Sequence, residues 1–566
     1  MRDIIKVDLE HCVGCNRCIR VCPIDEANFV YKQKSNGQIK VKIDHERCIA
    51  CGNCLQACHH GSRFYEDDTE RFFYDLRSGV AISLFVAPAI KSNFNNYGRL
   101  FAWLQSLGVK FIYDVSLGAD ICTWAHIRHI QKNGPKPIIS QPCPAIVNYI
   151  LIHRNELLRY LSPVHSPMLC TAVYMSKYEM VPGKIAALSP CVAKTYEFEA
   201  TRLVEYNITF KKLQEYMQKH NVMLPSQEKD FDNYKAGLGS LYPMPGGLKE
   251  SVEHYIGKSL RVDKSEGTNI VYKALDEYSR QSIAKLPVLF DVLNCMEGCN
   301  AGTGCVHNIN IFDINTKMDA LRQEAIAKDN LEYMEELFEK FDRDLILDDF
   351  LRQYAAIPKL PIYITEEKVK NAFVVLGKHN EASKNFDCGA CGCDTCLEMA
   401  KRVAKGISIP EHCTEKMHSE ALAISEGNLS RFDTIIKESG KIKEMSSGIA
   451  SNIENITEAI ASYDRMVMEI ERIAEKVNII SLNASVEAAK AGSYGLAFDV
   501  VAKEIRGLAE SSAKSAMRTK EVSKNANKAI KIMTGAVADI DDNAKSSYEH
   551  IRAAAENTRK ILNKGE

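Results

Sequence analysis

Apolar residues in the last quarter of the chain recur at heptad spacing. Ile435, Ile442, Met445, Ile449, Ile456, Ala459, Tyr463, Met466, Ile470, Ile473, Val477 and Ile480 fall on a and d positions of one series. Met533, Val537, Ile540, Ala544, Ile551, Ala554 and Ile561 do so in a second. The pattern predicts two helical arms of about 60–65 residues, each roughly 90–100 Å long. Gly492 and Gly495 lie between them and permit a reversal, so an antiparallel coiled-coil hairpin is expected. Many seam positions are Ala, Ser, Asn or Thr, which pack closely but weakly and suit small shifts between packed states. Upstream the pattern changes. Short apolar runs at 83–90, 111–115 and 184–191 alternate with helical stretches such as 96–107. That alternation predicts buried strands in an α/β domain with largely parallel sheets. A polar helical stretch, 315–355, reads as a connector.

At 566 residues the chain is too long for one core, and about three to five domains are expected. The formal net charge is -1, which favours neither nucleic acid nor an anionic membrane surface. No uncharged apolar run reaches the length of a membrane span, and no leader pattern is present. A cytoplasmic location follows as the expectation. There thiols stay reduced, and the 20 cysteines read as metal ligands and not as a disulfide framework. All of them lie at or before Cys413; the rod holds neither Cys nor Pro.

Cys12, Cys15, Cys18 and Cys22, followed by Pro23, form a C-x2-C-x2-C-x3-C-P run, and Cys48, Cys51, Cys54 and Cys58 repeat it without the proline. The runs resemble bacterial two-cluster ferredoxins, in which the fourth cysteine of each run ligates the other cluster. That resemblance implies one [4Fe-4S] cluster on Cys12, Cys15, Cys18 and Cys58, and another on Cys48, Cys51, Cys54 and Cys22. Such a domain carries electrons and does no substrate chemistry of its own.

The central cysteines are isolated, and each taken alone reads equally well as a small buried hydrophobe. Cys143 lies in S-Q-P-C-P, Cys191 in S-P-C-V-A-K-T-Y-E, and Cys295 and Cys299 in C-M-E-G-C-N-A-G-T-G. Together and in this order they resemble the three signature segments of the [FeFe]-hydrogenase catalytic domain, over roughly residues 80–330. The resemblance implies that Cys143, Cys191, Cys295 and Cys299 hold an H-cluster cubane. Cys299 would bridge to a two-iron CO/CN unit. It also implies that Lys194 donates to a cyanide, a strong charge-assisted contact, and that Ala87 and Pro88 pack near the cofactor. Glu197 matches the glutamate that follows the lysine. The departures bear on function. The family's relay thiol is here Pro142, which cannot titrate, and residues 121–142 contain no Asp or Glu. The family's methionines near the two-iron unit appear as Ser189 and Leu293. Cys122, Cys170 and Cys305 are extra thiols, open to a relay role or to burial as structural cysteines.

Cys388, Cys391, Cys396 and Cys413 form C-x2-C-x4-C-x16-C, resembling a small [4Fe-4S] module of anaerobic redox proteins, with a zinc site as the alternative. Residues 396–405 read as a helix, and Cys393 is off-pattern. Between the arms of the rod, residues 473–509 resemble the tip of the methyl-accepting chemotaxis signalling domain, with Asn478, Asn483, Glu487, Phe498, Val500, Val501, Glu504 and Arg506 matching. The resemblance implies a homodimer through the hairpin, a histidine kinase and a coupling protein. Glu475-Lys476-Val477 and Lys490 depart from that tip at positions that help receptors assemble into arrays. A plain dimerising coiled coil is the alternative.

The expected fold class is multidomain α+β: a ferredoxin-like 2[4Fe-4S] domain (1–75), an α/β hydrogenase-like domain with a helical extension (76–360), a four-cysteine Fe-S module (361–425) and a long antiparallel α-helical coiled-coil hairpin (426–566). The expected function is a soluble hydrogen or redox sensor with slow turnover, served by ferredoxin or another small redox carrier. The rivals are a working hydrogenase with a docking bundle and a cubane-only redox sensor.

Overall fold

A computed structural model describes residues 3–306 and 310–563. The chain divides into two compact units, Met1–Lys416 and Met417–Glu566. Among the described residues no helix is long and apolar enough to cross a membrane.

The first unit is built on two parallel sheets. One has four strands in the order Ile112–Asp114, Ile82–Val86, Lys184–Ser189, Tyr206–Thr209. The other has three, Val262–Glu266, Leu289–Leu293 and Ile138–Ile139. Ile82–Val86 and Leu289–Leu293 are buried along their whole length, as strands covered on both faces must be. The apolar run expected as one strand over 83–90 breaks at Val86, and Ile90–Asn93 is helical. Pro88 supplies no N–H for a ladder, so the strand stops short of it.

Helix Val115–Asn133 runs through the middle of this unit. Asp114 caps it by accepting from Ser116 N at 2.8 Å, satisfying one of the orphan donors of its first turn. Fourteen of its nineteen residues are buried, so it behaves as a core helix and not as an amphipathic one. The stretch expected as a connector packs against it instead. Met318, Met334, Leu337, Phe338 and Phe341, on helices Ile311–Ala325 and Lys328–Asp344, are buried, and Asp342 accepts from Trp124 Nε1 at 2.8 Å. The polar residues that made it look like a linker are its solvent face.

The ferredoxin-type segment has two antiparallel pairs, Ile5–Val7 with Arg63–Tyr65 and Asn28–Lys32 with Ile39–Ile43. Short helices Arg17–Arg20 and Asn53–Ala57 carry cysteines of the two runs. Helix Cys396–Ala404 opens with a capping box between Thr395 and Glu398, which fixes its start at Cys396.

The second unit is a helical hairpin, Thr414–Lys490 and Leu496–Asn563, reversed at Gly492–Tyr494. A Cβ on Gly495 would lie 2.0 Å from the carbonyl oxygen of Ala488, so the return needs glycine there. The seam differs from the heptad reading. The residues buried between the arms are Ser439, Ser446, Ile453, Val467, Ala474, Ser481 and Ala488 on one and Ala502, Ala509, Ala516 and Ser523 on the other. They repeat every seven residues, on the first arm at a heptad position outside the expected series and on the second arm in register with Val537, Ala544 and Ile551 of it. Ile442, Ile456, Ile470 and Ile480 stay 44–63% exposed. Small side chains let the arms approach closely and leave the large ones for another surface.

Gly118 tests the packing of the core helix. A Cβ there would lie 2.0 Å from Thr171 Oγ1 and 2.4 Å from the Pro167 carbonyl oxygen, where helix Pro167–Val173 crosses. Gly118→Ala should destabilise the first unit by about 1–3 kcal/mol or more. The chain has only two tryptophans, and Trp103 and Trp124 both lie in this unit. A urea unfolding curve followed by tryptophan fluorescence should therefore shift to lower midpoint; an unchanged midpoint would contradict the close approach.

Candidate cofactor site

The two parallel sheets aim their carboxyl ends at one place. Ala87 follows strand Ile82–Val86, Cys191 follows Lys184–Ser189, Cys143 follows Ile138–Ile139 and Cys295 follows Leu289–Leu293. Parallel sheets present ligand sites at these ends because the loops there diverge into a crevice. Here the crevice is a cavity of about 80 Å³ whose walls include Cys143, Cys191, Cys295, Cys299, Lys194, Ala87, Pro88 and Pro142. All the cofactor-binding residues expected from the sequence line the same space. Apart from Lys194 and the thiols its lining is almost wholly apolar, with Val115, Ala119, Met168 and Leu293 among it.

The glycines of the third segment are required by close approach. A Cβ on Gly302 would lie 2.3 Å from the Pro190 carbonyl oxygen, and one on Gly304 2.9 Å from Cys191 N. They press the Cys299 turn against the Cys191 turn, so segments far apart in sequence share one wall.

The chemistry of the donor set fits an iron–sulfur group. Burial pushes the Cys191 thiol up to about 11, and mutual repulsion with Cys143 adds to it. Burial raises Cys143, Cys295 and Cys299 as well. Four bare thiolates are not tolerated in this pocket, whereas a cationic iron core deprotonates its thiols outright. Lys194, buried in the wall, places Nζ 2.5 Å from Glu197 Oε2 and donates to Ser166 Oγ at 3.1 Å. Those contacts use two of its three N–H donors and leave one for an anionic ligand in the cavity.

The relay position is occupied by the cavity-lining Pro142. The extra thiols are buried. Cys122 and Cys170 both donate to the His165 carbonyl oxygen, at 3.3 and 3.4 Å, and Cys122 lies 3.6 Å from His126 Nδ1. Burial works against it, yet a hydrogen bond with the Cys170 thiol and the charge of the His126 imidazole draw the Cys122 thiol below its ordinary range. Sequence reading had singled out neither His126 nor Gln141, which donates to the same carbonyl at 3.0 Å. The i,i+4 spacing of Cys122 and His126 was the only signal available. Cys305 packs against the Pro190 and Cys299 carbonyls.

In the ferredoxin-type segment Cys22, Cys48, Cys51 and Cys54 line a second, small cavity of about 20 Å³. Cys22 thus joins the second run, and burial raises its thiol to about 12. Cys12 and Cys18 are buried together with Ile19, Val30 and Val41, Cys15 is exposed, and Cys58 is half-buried. In the third module Cys391, Cys393, Cys396 and Cys413 are buried and Cys388 is exposed. Cys393, off-pattern in sequence, hydrogen-bonds Cys391 and holds that thiol down at about 6.

Four segments of the chain match family models. Residues 80–303 match the family model of the iron only hydrogenase large subunit, C-terminal domain. Residues 11–62 match a 4Fe-4S dicluster domain, 433–566 the methyl-accepting chemotaxis protein (MCP) signalling domain, and 385–414 a model for a provisionally assigned Fe-S cluster. Biofilm dispersion protein BdlA of Pseudomonas aeruginosa is 33% identical over 145 residues, 26% of this chain and 33% of that protein. Methyl-accepting chemotaxis protein McpC of Bacillus subtilis is 33% identical over 126 residues, 22% of this chain and 18% of that one. The chain spans about a third or less of the length of these curated relatives. A solved [FeFe]-hydrogenase, described for oxygen inactivation of its H cluster, aligns over 52% of this chain and 100% of its own at 16% identity and a TM-score of 0.42. A HydA1 variant from Chlamydomonas reinhardtii aligns over 51% and 99% at 15% identity and 0.39. Both likenesses are too distant to bear on function.

The buried Lys194–Glu197 pair gives a direct test of the cavity wall. Lys194→Met leaves Glu197 without its cation, at a cost of about 3–5 kcal/mol. Adding Glu197→Leu removes the stranded charge and should recover most of the loss. Equal unfolding midpoints for the single and double variants would show that the ion pair is not what holds this wall.

Proposed function

We propose that this chain, which joins an iron-only hydrogenase-type domain to a 4Fe-4S domain and a chemotaxis-type signalling domain, is a hydrogen or redox sensor controlling a signalling helical bundle. One observation carries the reading. The cavity keeps the four thiols and Lys194 but has Pro142 in its wall, where the hydrogenase resemblance calls for a relay thiol. An enzyme built for turnover needs that proton path, because loss of one general acid costs about 10²–10⁴ in rate. A sensor needs only to bind its signal or change redox state.

Cys143, Cys191, Cys295 and Cys299 would hold the cubane of an H-cluster, with Cys299 shared with a two-iron CO/CN unit. When bound, that unit would supply the metal centre at which H2 interacts. The chain's own residues do the rest. Lys194 presents a donor to an anionic ligand and is oriented by Glu197 and Ser166. The apolar lining disfavours water, and Pro142 supplies no titrating group at its own position in the wall. Cys12, Cys15, Cys18 and Cys58, Cys48, Cys51, Cys54 and Cys22, and Cys388, Cys391, Cys396 and Cys413 would hold three further [4Fe-4S] clusters. Electrons would arrive from ferredoxin or another small one-electron carrier.

The hairpin would act as a homodimer on a chemotaxis-type histidine kinase and its coupling protein. Its exposed isoleucines support this: a lone hairpin leaves Ile442, Ile456 and Ile470 in water, and a second copy would bury them. Coupling of cofactor state to kinase state needs about 1–3 kcal/mol of differential free energy.

The infrared spectrum of anaerobically matured protein, under argon and then H2, tests the sensor reading. CO and CN⁻ bands that shift with H2 are expected, with turnover orders of magnitude below that of a working hydrogenase. Full cubane occupancy without such bands would replace hydrogen sensing by cubane-only redox sensing. Fast turnover would favour the enzyme. For the bundle, Ile470→Asp should move the protein from dimer towards monomer in sedimentation velocity; a monomeric parent protein would rule the dimer out.

A further inference from the structure

Two buried arginines lie among the cysteines of the first unit, and neither meets a carboxylate at ion-pair distance among the described residues. Arg63, 7% exposed, donates through one terminal nitrogen to Cys18 Sγ at 3.3 Å and Asn28 Oδ1 at 3.0 Å, while the other terminal nitrogen has no partner. Its guanidinium faces Cys18 and Cys12 of the first run and Cys54 of the second. Arg402, 5% exposed, donates to the carbonyl oxygens of Asp25 and Asn28, and its Nε has no partner. It stands on the helix that begins at Cys396 and reaches the main chain at Asp25, three residues after Cys22. Asn28 joins the two cations, its side chain to Arg63 and its main chain to Arg402.

A buried guanidinium without a counter-charge costs several kcal/mol. Thiolate-ligated iron–sulfur clusters are net negative and would supply that charge. The surrounding contacts are equally direct. Gly392 sits where a Cβ would be 3.0 Å from the Asn16 carbonyl oxygen, Val30 N donates to Ile407 O at 2.9 Å, and Lys405 pairs with Glu26 at 2.6 Å. On the opposite side, Cys22, Cys48 and Cys51 share an apolar cluster with Cys143, and Asn53 accepts from Asn294, the neighbour of Cys295, at 3.2 Å.

We propose that Arg402 and Arg63 are the cationic bridges of one electron path, which enters at the 388–413 thiolates, crosses the ferredoxin-type cysteines and ends at the Cys143–Cys299 cavity. The inference rests on the reading that these thiols hold clusters. Each hop moves one electron, oxidising one cluster and reducing the next, with no bond made or broken; the first electron comes from an external one-electron reductant. The guanidiniums are positioning residues. They favour the reduced, more negative state of the clusters beside them, since cluster potential follows local charge and hydrogen bonds to sulfur.

The test uses the full chain, reconstituted and reduced with dithionite, with cluster potentials followed by electron paramagnetic resonance. Arg402→Gln should move the potential of the 388–413 cluster to more negative values at unchanged iron and sulfide content, and Arg402→Lys should restore most of it. Arg63→Gln should do the same to the ferredoxin-type clusters. Unchanged potentials in both Gln variants with full iron content would overturn the proposal. A measurement that does not touch the arginines stands beside it. The fully reduced parent chain should show magnetic coupling between the 388–413 cluster and its neighbours, and Cys391→Ser should abolish it. Absence of coupling in a fully loaded parent overturns the path. If instead Cys391→Ser leaves the iron content unchanged, the cluster reading of the 388–413 thiols fails and the path falls with it.

Discussion

Four half-buried thiols gathered beyond the carboxyl ends of parallel strands impose a charge problem on the first unit. None of them holds a thiolate comfortably in an apolar cavity, as the upward shifts at Cys143, Cys191, Cys295 and Cys299 record. Iron would resolve the problem by taking the place of protons. The surrounding architecture is arranged around that exchange. Strand ends bring the thiols together, Gly302 and Gly304 let their turns touch, and Lys194 sets a cation at the wall with Glu197 and Ser166 behind it. The same tension recurs in the ferredoxin-type segment, where Arg63 is buried against sulfur. Arg402 repeats it at the border with the third module.

The hairpin obeys a different constraint. Its arms meet through Ala and Ser, which gives close approach at small apolar area and hence modest stabilisation per turn. The large residues remain exposed, so the arm-to-arm contact does not exhaust the apolar surface the sequence supplies. A surface of that kind is suited to a second helical pair and to small changes of packing.

The site was legible in unequal parts. Clustered runs such as Cys12–Cys22 were readable because their cysteines are neighbours in sequence, whereas the exchange of the fourth cysteine between runs came from the resemblance alone. The isolated cysteines were readable only through a resemblance, since nothing in one lone Cys marks it as a ligand. The rod's heptads were legible, but on the first arm not which heptad position faces the partner arm, because small and large residues alternate around the helix and only packing chooses between them. The stretch over 315–355 was misjudged as a linker, since its buried stripe of Met and Phe is thin beside its charged face.

By itself the sequence determined the order of the segments, the clustering of the cysteines, the absence of a titrating side chain at Pro142 and the helical rod, all properties carried by neighbouring residues or by residue chemistry. Only the tertiary structure decided that Cys122 meets Cys170 and His126, and that Arg63 and Arg402 lie buried in segments that carry cysteines distant in sequence. The reason is physical. Spacing constrains contacts within a run or a helical turn, whereas charge burial depends on which distant segments the fold packs together, and no local pattern encodes that.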